Sequence, residues 1–196
     1  MPRVRAETDG AAREAGHRYL AFLRGMNVGG HRVSMADLRT HVESLGVSNV
    51  ETFIASGNVI FDTARRQTAV ALERAIESCL LERLGYPVST FLRTPQELAA
   101  IARAVPFDAT EIETPGYTVH VGFLRTAPDH ALQTLLKASE TSFDAFGTGS
   151  RELYWLCRGK LTESTVKWTA IERAIDGSVT MRNLTTVRKL VQRYGS

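Results

Sequence analysis

An alternation of short β-prone runs and amphipathic stretches constrains this chain most. Tyr19-Leu20-Ala21-Phe22-Leu23 is a continuous apolar run closed by Arg24-Gly25, the pattern of a strand buried on both faces. Ser34-Met35-Ala36-Asp37 then offers helix-capping chemistry, and Met35, Leu38, Val42 and Leu45 recur at helical spacing up to Gly46. Thr52-Phe53-Ile54 and Val59-Ile60-Phe61 flank Ala55-Ser56-Gly57-Asn58, which predicts a hairpin. Leu72, Ala75, Ile76, Cys79, Leu80 and Leu84 mark a second helix over residues 67–84, ended by Gly85, and a fourth strand follows at 88–92. The order β-α-β-β-α-β over residues 18–93 is the ferredoxin-like split βαβ arrangement.

Thr94-Pro95-Gln96-Glu97 caps a helix running to about residue 104 and opens the crossing into a second half. There, residues 117–124 read as a strand, 128–138 as a helix, 152–157 as a strand, 165–175 as a helix and 179–181 as a short strand, before a terminal helix over about 184–193. The expected fold is therefore α+β: two ferredoxin-like (βαββαβ) halves packed together, plus a C-terminal helix. Its parts would be a flexible leader (1–16), an N-terminal subdomain (17–105) and a less regular C-terminal subdomain (106–196). Phe-Leu-Arg occurs at 22–24, 91–93 and 123–125. The uneven spacing leaves open whether this is a pseudo-duplication or only similar strand-to-helix junctions.

Composition removes some classes. With 196 residues, 43% of them hydrophobic, the chain can bury a core without staples. Two cysteines make no disulfide framework, no apolar run of about 18 residues offers a membrane span, and the first sixteen residues hold no signal-peptide core. A cytoplasmic protein is expected. The net charge of +3 is carried almost wholly by arginine, a bias that base composition alone produces, and no run of five basic residues marks a nucleic-acid arm.

Four segments carry a resemblance: Tyr19-Leu-Ala-Phe-Leu-Arg-Gly-Met-Asn-Val-Gly-Gly-His, Met35-Ala-Asp-Leu-Arg39, Ala55-Ser-Gly-Asn-Val-Ile-Phe61 and Val179-Thr-Met-Arg-Asn-Leu-Thr-Thr-Val187. Together they resemble a bacterial family catalogued as domain of unknown function 1697, from about Tyr19 to the end of the chain. The closing motif departs from the family at Leu184, where tryptophan is usual. The resemblance implies a two-part α+β fold with no established activity.

The loop Arg24-Gly25-Met26-Asn27-Val28-Gly29-Gly30-His31-Arg32 has P-loop-like glycine spacing, but His31-Arg32 replaces the phosphate lysine and magnesium hydroxyl. What survives is an anion cradle in which Gly29 and Gly30 let backbone amides turn inward near a helix N-terminus. In a split βαβ sheet the third strand lies beside the first, so Arg24 and Asn27 should meet Ser56, Gly57 and Asn58, with Tyr86 nearby. Arg182 and Asn183, before the last helix, form a second candidate. Each also has a purely structural reading: a turn, a loop hydrogen bond, or a cap. The ligand expected here is small and anionic, bearing phosphate or carboxylate.

Two alternatives stand beside it: a nucleic-acid-associated protein binding through phosphates, and an enzyme with its acid or base in the cleft, Asp37 or His31. The five histidines lack metal spacing, and no cofactor motif or G-x-S-x-G elbow is present. Neither a metal nor a cofactor is expected, nor a membrane partner, and the oligomeric state stays open. Phe146, Tyr154, Trp155 and Trp168 read as second-half core. An RNA platform would need the first sheet's open face uncovered, and the apolar first strand argues that the second half covers it.

Overall fold

The computed structural model describes residues 16–26, 32–54, 57–64 and 67–195. The expected leader therefore lies outside the described residues except for Gly16, and so do Asn27, Gly29, Gly30 and Ser56.

The first half runs β1 (His17–Arg24), α1 (Met35–Glu43), β2 (Ser48–Thr52), β3 (Asn58–Thr63), α2 (Ala69–Leu84), β4 (Ser89–Arg93) and α3 (Pro95–Arg103). Its helices start where the sequence provides acceptors for their free amides. The Ser34 hydroxyl accepts from Asp37 N, Thr68 from Ala71 N, and Thr94 with Glu97 closes a full capping box behind Pro95. Gly85, at φ 77°, ends α2 in the left-handed conformation that glycine adopts without strain.

The second half repeats the pattern: α4 (Ala109–Glu113), β5 (Thr118–Leu124), α5 (His130–Ala138), β6 (Asp144–Thr148), β7 (Glu152–Cys157), α6 (Trp168–Ala174), β8 (Val179–Asn183) and α7 (Leu184–Tyr194). Each half builds a four-stranded antiparallel sheet, in the orders β2-β3-β1-β4 and β6-β7-β5-β8.

Alternation along the strands divides the core into three layers. Ala21, Leu23, Val59, Phe61 and Leu92 face outward beneath α1 and α2. Leu153, Trp155, Cys157 and Leu124 face outward beneath α5 and α6. Between the sheets, Leu20, Phe22, Ile60 and Phe91 meet Val121, Phe123, Tyr154 and Leu156, closed in by Leu98 of α3 and Leu190 of α7. Phe22 and Phe123 stack at the centre, with ring centroids 3.9 Å apart and planes within 10°. The inner face of the first sheet is thus buried against the second half, as the apolar first strand implied, and offers no stacking platform.

Several elements differ from the sequence reading, among them α6, which begins at Trp168 rather than at 165. β6 is implied by the βαββαβ order but was assigned no residues: it is a short edge strand, and among its residues only Phe146 belongs to the outer core. β2 ends at Thr52 rather than beginning there, because Ile54 turns through φ 57° in the hairpin. The one-turn α4 carries no buried residue, so no apolar period announced it. α5 begins after Asp129, whose carboxylate accepts from Leu132 N, two residues later than expected.

Candidate functional site at the edge of the first sheet

The sheet brings the end of β1 and the β2–β3 hairpin together. Phe22 pairs with Asn58, and Leu23 N donates to Gly57 O at 2.8 Å. Gly57 sits at φ 72°, and a Cβ there would come 3.2 Å from both Leu23 Cβ and Met26 Cγ, so the close approach requires glycine.

Into this junction β8 sends Arg182, which is buried. Its Nε donates to Asn58 Oδ1 at 2.6 Å, Nη1 to Thr180 Oγ1 at 2.9 Å and Met181 O at 2.8 Å, and Nη2 to Leu23 O at 3.0 Å and Gly57 O at 3.2 Å. The guanidinium also lies over the Phe22 ring, 5.7 Å from its centroid. Burial lowers its pKa to about 10, which still leaves it a cation at neutral pH. Asn58 accepts from Arg182 on one side and donates Nδ2 to Phe53 O at 2.9 Å on the other. The amide supplies the acceptor and the donor on two separate atoms of one short side chain.

Arg24 leaves β1 toward the second half, where Nη2 donates to Glu172 Oε1 of α6 at 3.0 Å. Its Nη1 lies against Gly177, 3.2 Å from where a Cβ would stand. Arg24, Gly57, Asn58 and Arg182 therefore gather at one edge. Asn183 does not join them; it caps α7 by accepting from Thr185 N at 2.8 Å. Tyr86 packs into the outer core. Asp37 accepts from Ser34 Oγ at 2.7 Å at the start of α1, and His31 lies outside the described residues.

The same device occurs a second time. Register equates Phe22 with Phe123, Asn58 with Glu152, and Arg93 with Arg182, since Arg93 pairs with Leu20 and Arg182 with Val121. Arg93, also buried, donates Nε to Glu152 Oε1 at 2.8 Å, Nη1 to Leu92 O at 2.8 Å, and Nη2 to Leu124 O at 3.0 Å and Arg151 O at 2.8 Å. Leu124 N donates to Arg151 O at 2.8 Å, as Leu23 N does to Gly57 O. Each half thus inserts an arginine from its last strand into the first-strand junction of the other. Arg125 matches Arg24 and pairs with Glu77 of α2. The acceptors differ for a local reason. Glu152 faces the backbone donor Arg151 N through Oε2 at 3.0 Å, where a carboxylate fits, whereas Asn58 faces a carbonyl.

Sequence reasoning missed Arg93, Glu152, Glu172 and Thr180. The second Phe-Leu-Arg triplet was the available signal, since it places Arg93 at the end of a buried strand. Chemically, the edge offers guanidinium donors, an amide and backbone carbonyls, with one carboxylate, Glu172, held by Arg24; this set suits charge recognition better than proton transfer. Among the described residues no cluster of three or more His, Cys, Asp or Glu could hold a metal ion. Nor is any helix among them long and apolar enough to cross a membrane.

No curated protein matches the chain. A solved structure, that of conserved bacterial protein SP0830 from Streptococcus pneumoniae, superposes with a TM-score of 0.75 at 22% identity, covering 93% of this chain and 100% of that one. It shares the fold. The model of the family described as protein of unknown function (DUF1697) matches residues 17–154, more than half of the sequence, and the chain belongs to that family.

Proposed function

We propose that this is a two-lobed binding protein, each lobe ferredoxin-like, that takes a small anion bearing phosphate or carboxylate at the edge where β1 ends. The strand orders β2-β3-β1-β4 and β6-β7-β5-β8, with the element order β-α-β-β-α-β in each half, support the ferredoxin-like reading. One observation carries the ligand reading: Arg24 and Arg182 reach the same strand end from the two lobes, and the Nε acceptor there is the neutral Asn58 where the matching site has Glu152. Arg182 is committed to protein oxygens, so it contributes charge rather than contact. Arg24, about 37% exposed in its side chain, is the group able to leave Glu172 for an anion.

The matching arginine supplies the control. Arg24→Ala should weaken binding of inorganic phosphate or citrate, followed by calorimetry, by about 10–150-fold, the worth of a charge-assisted contact of roughly 1.5–3 kcal/mol. Arg125→Ala removes the equivalent ion pair in the other lobe and should leave affinity unchanged. Equal affinity in both variants, or no saturable binding by the unaltered protein, overturns the proposal.

A further inference from the structure

On the outer face of the second sheet, away from the arginine edge, lies a cavity of about 310 Å³ whose walls include His120, Trp155, Trp168, Met181 and Val166. Its volume falls at the lower end of small-molecule sites, about 300–1,000 Å³. Strand alternation puts His120 of β5 and Trp155 of β7 side by side as a directly paired couple, with ring centroids 6.2 Å apart. The chain after the 3-10 turn Leu161–Glu163 then lays Trp168 over Trp155, with centroids at 5.3 Å and planes within 11°, while Phe146 stacks on Trp155 from the β6 side at 5.5 Å. Asp144 holds the Trp155 indole in place, accepting from Nε1 at 2.8 Å. One wall is thus a rigid aromatic surface.

The other feature is His120. Its Nε2 is buried and has no hydrogen-bond partner among the described residues. Unpaired and sealed off, this nitrogen costs about 1–3 kcal/mol; the half-buried ring that carries it lines the cavity, and turning that ring toward a guest gives the nitrogen a partner. Burial lowers the His120 pKa, so the imidazole is neutral at pH 7. No acidic side chain lines the cavity, so a cationic guest would find only the aromatic faces and no counter-charge.

The geometry points to a second binding site, for an uncharged planar heteroaromatic ring of nucleobase size that stacks on the Trp155–Trp168 surface and exchanges a hydrogen bond with His120. The structural alternative is that these rings only fill the core. It accounts for Trp155 and for the side of Trp168 packed on it, but not for the orphaned nitrogen beside a cavity.

Trp155 and Trp168 are the only tryptophans in the sequence, so fluorescence excited at wavelengths that tyrosine does not absorb reports on this site alone. Titration with adenine should give saturable quenching, while tetramethylammonium and cyclohexanol at equal concentration should not. His120→Phe keeps the aromatic wall and removes the nitrogens; it should weaken adenine by about threefold to tenfold, the range of one net hydrogen bond. Trp168→Leu should cost about tenfold or more, the stacking contribution, with Trp155 still reporting. Thermal melts of both variants separate lost binding from lost folding, and if either fails to fold, Ser164→Phe, which adds bulk to the cavity wall without adding a tryptophan, replaces it and should abolish quenching. Purely collisional quenching overturns the proposal. Tighter binding of tetramethylammonium than of adenine does so as well, as does undiminished adenine affinity in a folded His120→Phe.

Discussion

The paired arginines make a prediction in which the two halves check each other. Arg93→Met removes a guanidinium while keeping most of the apolar stem, and leaves the carboxylate of Glu152 buried at about 5% side-chain exposure. Breaking a buried pair from one side typically costs about 3–5 kcal/mol. A ceiling on the charge contribution comes from the carboxylate's escape by taking up a proton. From an ordinary glutamate value of about 4.3 this costs about 3.7 kcal/mol at pH 7 but only about 1 kcal/mol at pH 5. The carbonyls of Leu92, Leu124 and Arg151 also lose a donor; Arg151 O keeps Leu124 N, so this part is small. The expected deficit in urea unfolding is thus about 3–5 kcal/mol at pH 7, shrinking by about 2–3 kcal/mol at pH 5. Arg182→Met removes the donor to an amide oxygen, a hydroxyl and carbonyls, all neutral acceptors, and should cost about 1–3 kcal/mol with no such narrowing. A pH-independent deficit in Arg93→Met, or the same narrowing in Arg182→Met, would refute the reasoning.

Other outcomes follow from single contacts. Phe123→Ala empties the stack on Phe22 between the sheets and should cost about 3–5 kcal/mol in chemical denaturation. Leu23→Asp puts an unpaired carboxylate into the outer core of the first sheet and should abolish soluble expression or cost at least about 4 kcal/mol; a normally melting variant would contradict the burial. His120, with its pKa lowered in the folded chain, binds protons more readily when unfolded, so its contribution declines as pH falls below about 6.5. His120→Phe should flatten that slope in Tm against pH. Asp62, lowered by its bidentate pair with Arg18, acts at more acid pH. Its contribution is present above the unfolded value of about 3.9 and lost as pH falls through the folded one, so Asp62→Asn should blunt acid unfolding below about pH 4.

The first sheet was legible because its strands and helices each announce themselves locally. β1 is apolar on both faces, and α1, α2 and α3 carry their own caps and stops. β6 was not legible because Asp144-Ala145-Phe146-Gly147-Thr148 has no β-branched alternation, and Gly147 is there to let Pro106 approach: a Cβ would lie 2.3 Å from its Cγ. Such a requirement arises only in the assembled fold. The convergence of Arg24, Gly57 and Asn58 followed from strand order alone. Arg182 could be placed on that edge only once the two sheets were known to face each other, and the Arg93–Glu152 pair joins residues 59 apart with no motif between them.

Because both halves must solve the same packing problem, residues shared at matched positions are explained by architecture before function is invoked. Phe22 and Phe123, Leu23 and Leu124, Arg24 and Arg125, and Arg93 and Arg182 are such pairs, down to the helix glutamates that meet Arg24 and Arg125. That Arg24 and Arg182 have counterparts accounts for their presence, so the case for an anion rests on what differs around them. Three departures stand out: the amide of Asn58 against the carboxylate of Glu152, Gly57 against Arg151, and Tyr19 with Phe61 against His120 with Trp155. Asn58 is fixed by Phe53 O, and Gly57 by the contact with Leu23 and Met26, so local bonding selects the first two, and the neutral amide leaves the Arg182 charge without the carboxylate that Arg93 has. No bond of this kind holds His120, whose Nε2 costs stability that the tyrosine at the matched place does not. The asymmetry without a local cause therefore lies on the second sheet's outer face, and the aromatic cavity is where ligand screening should begin.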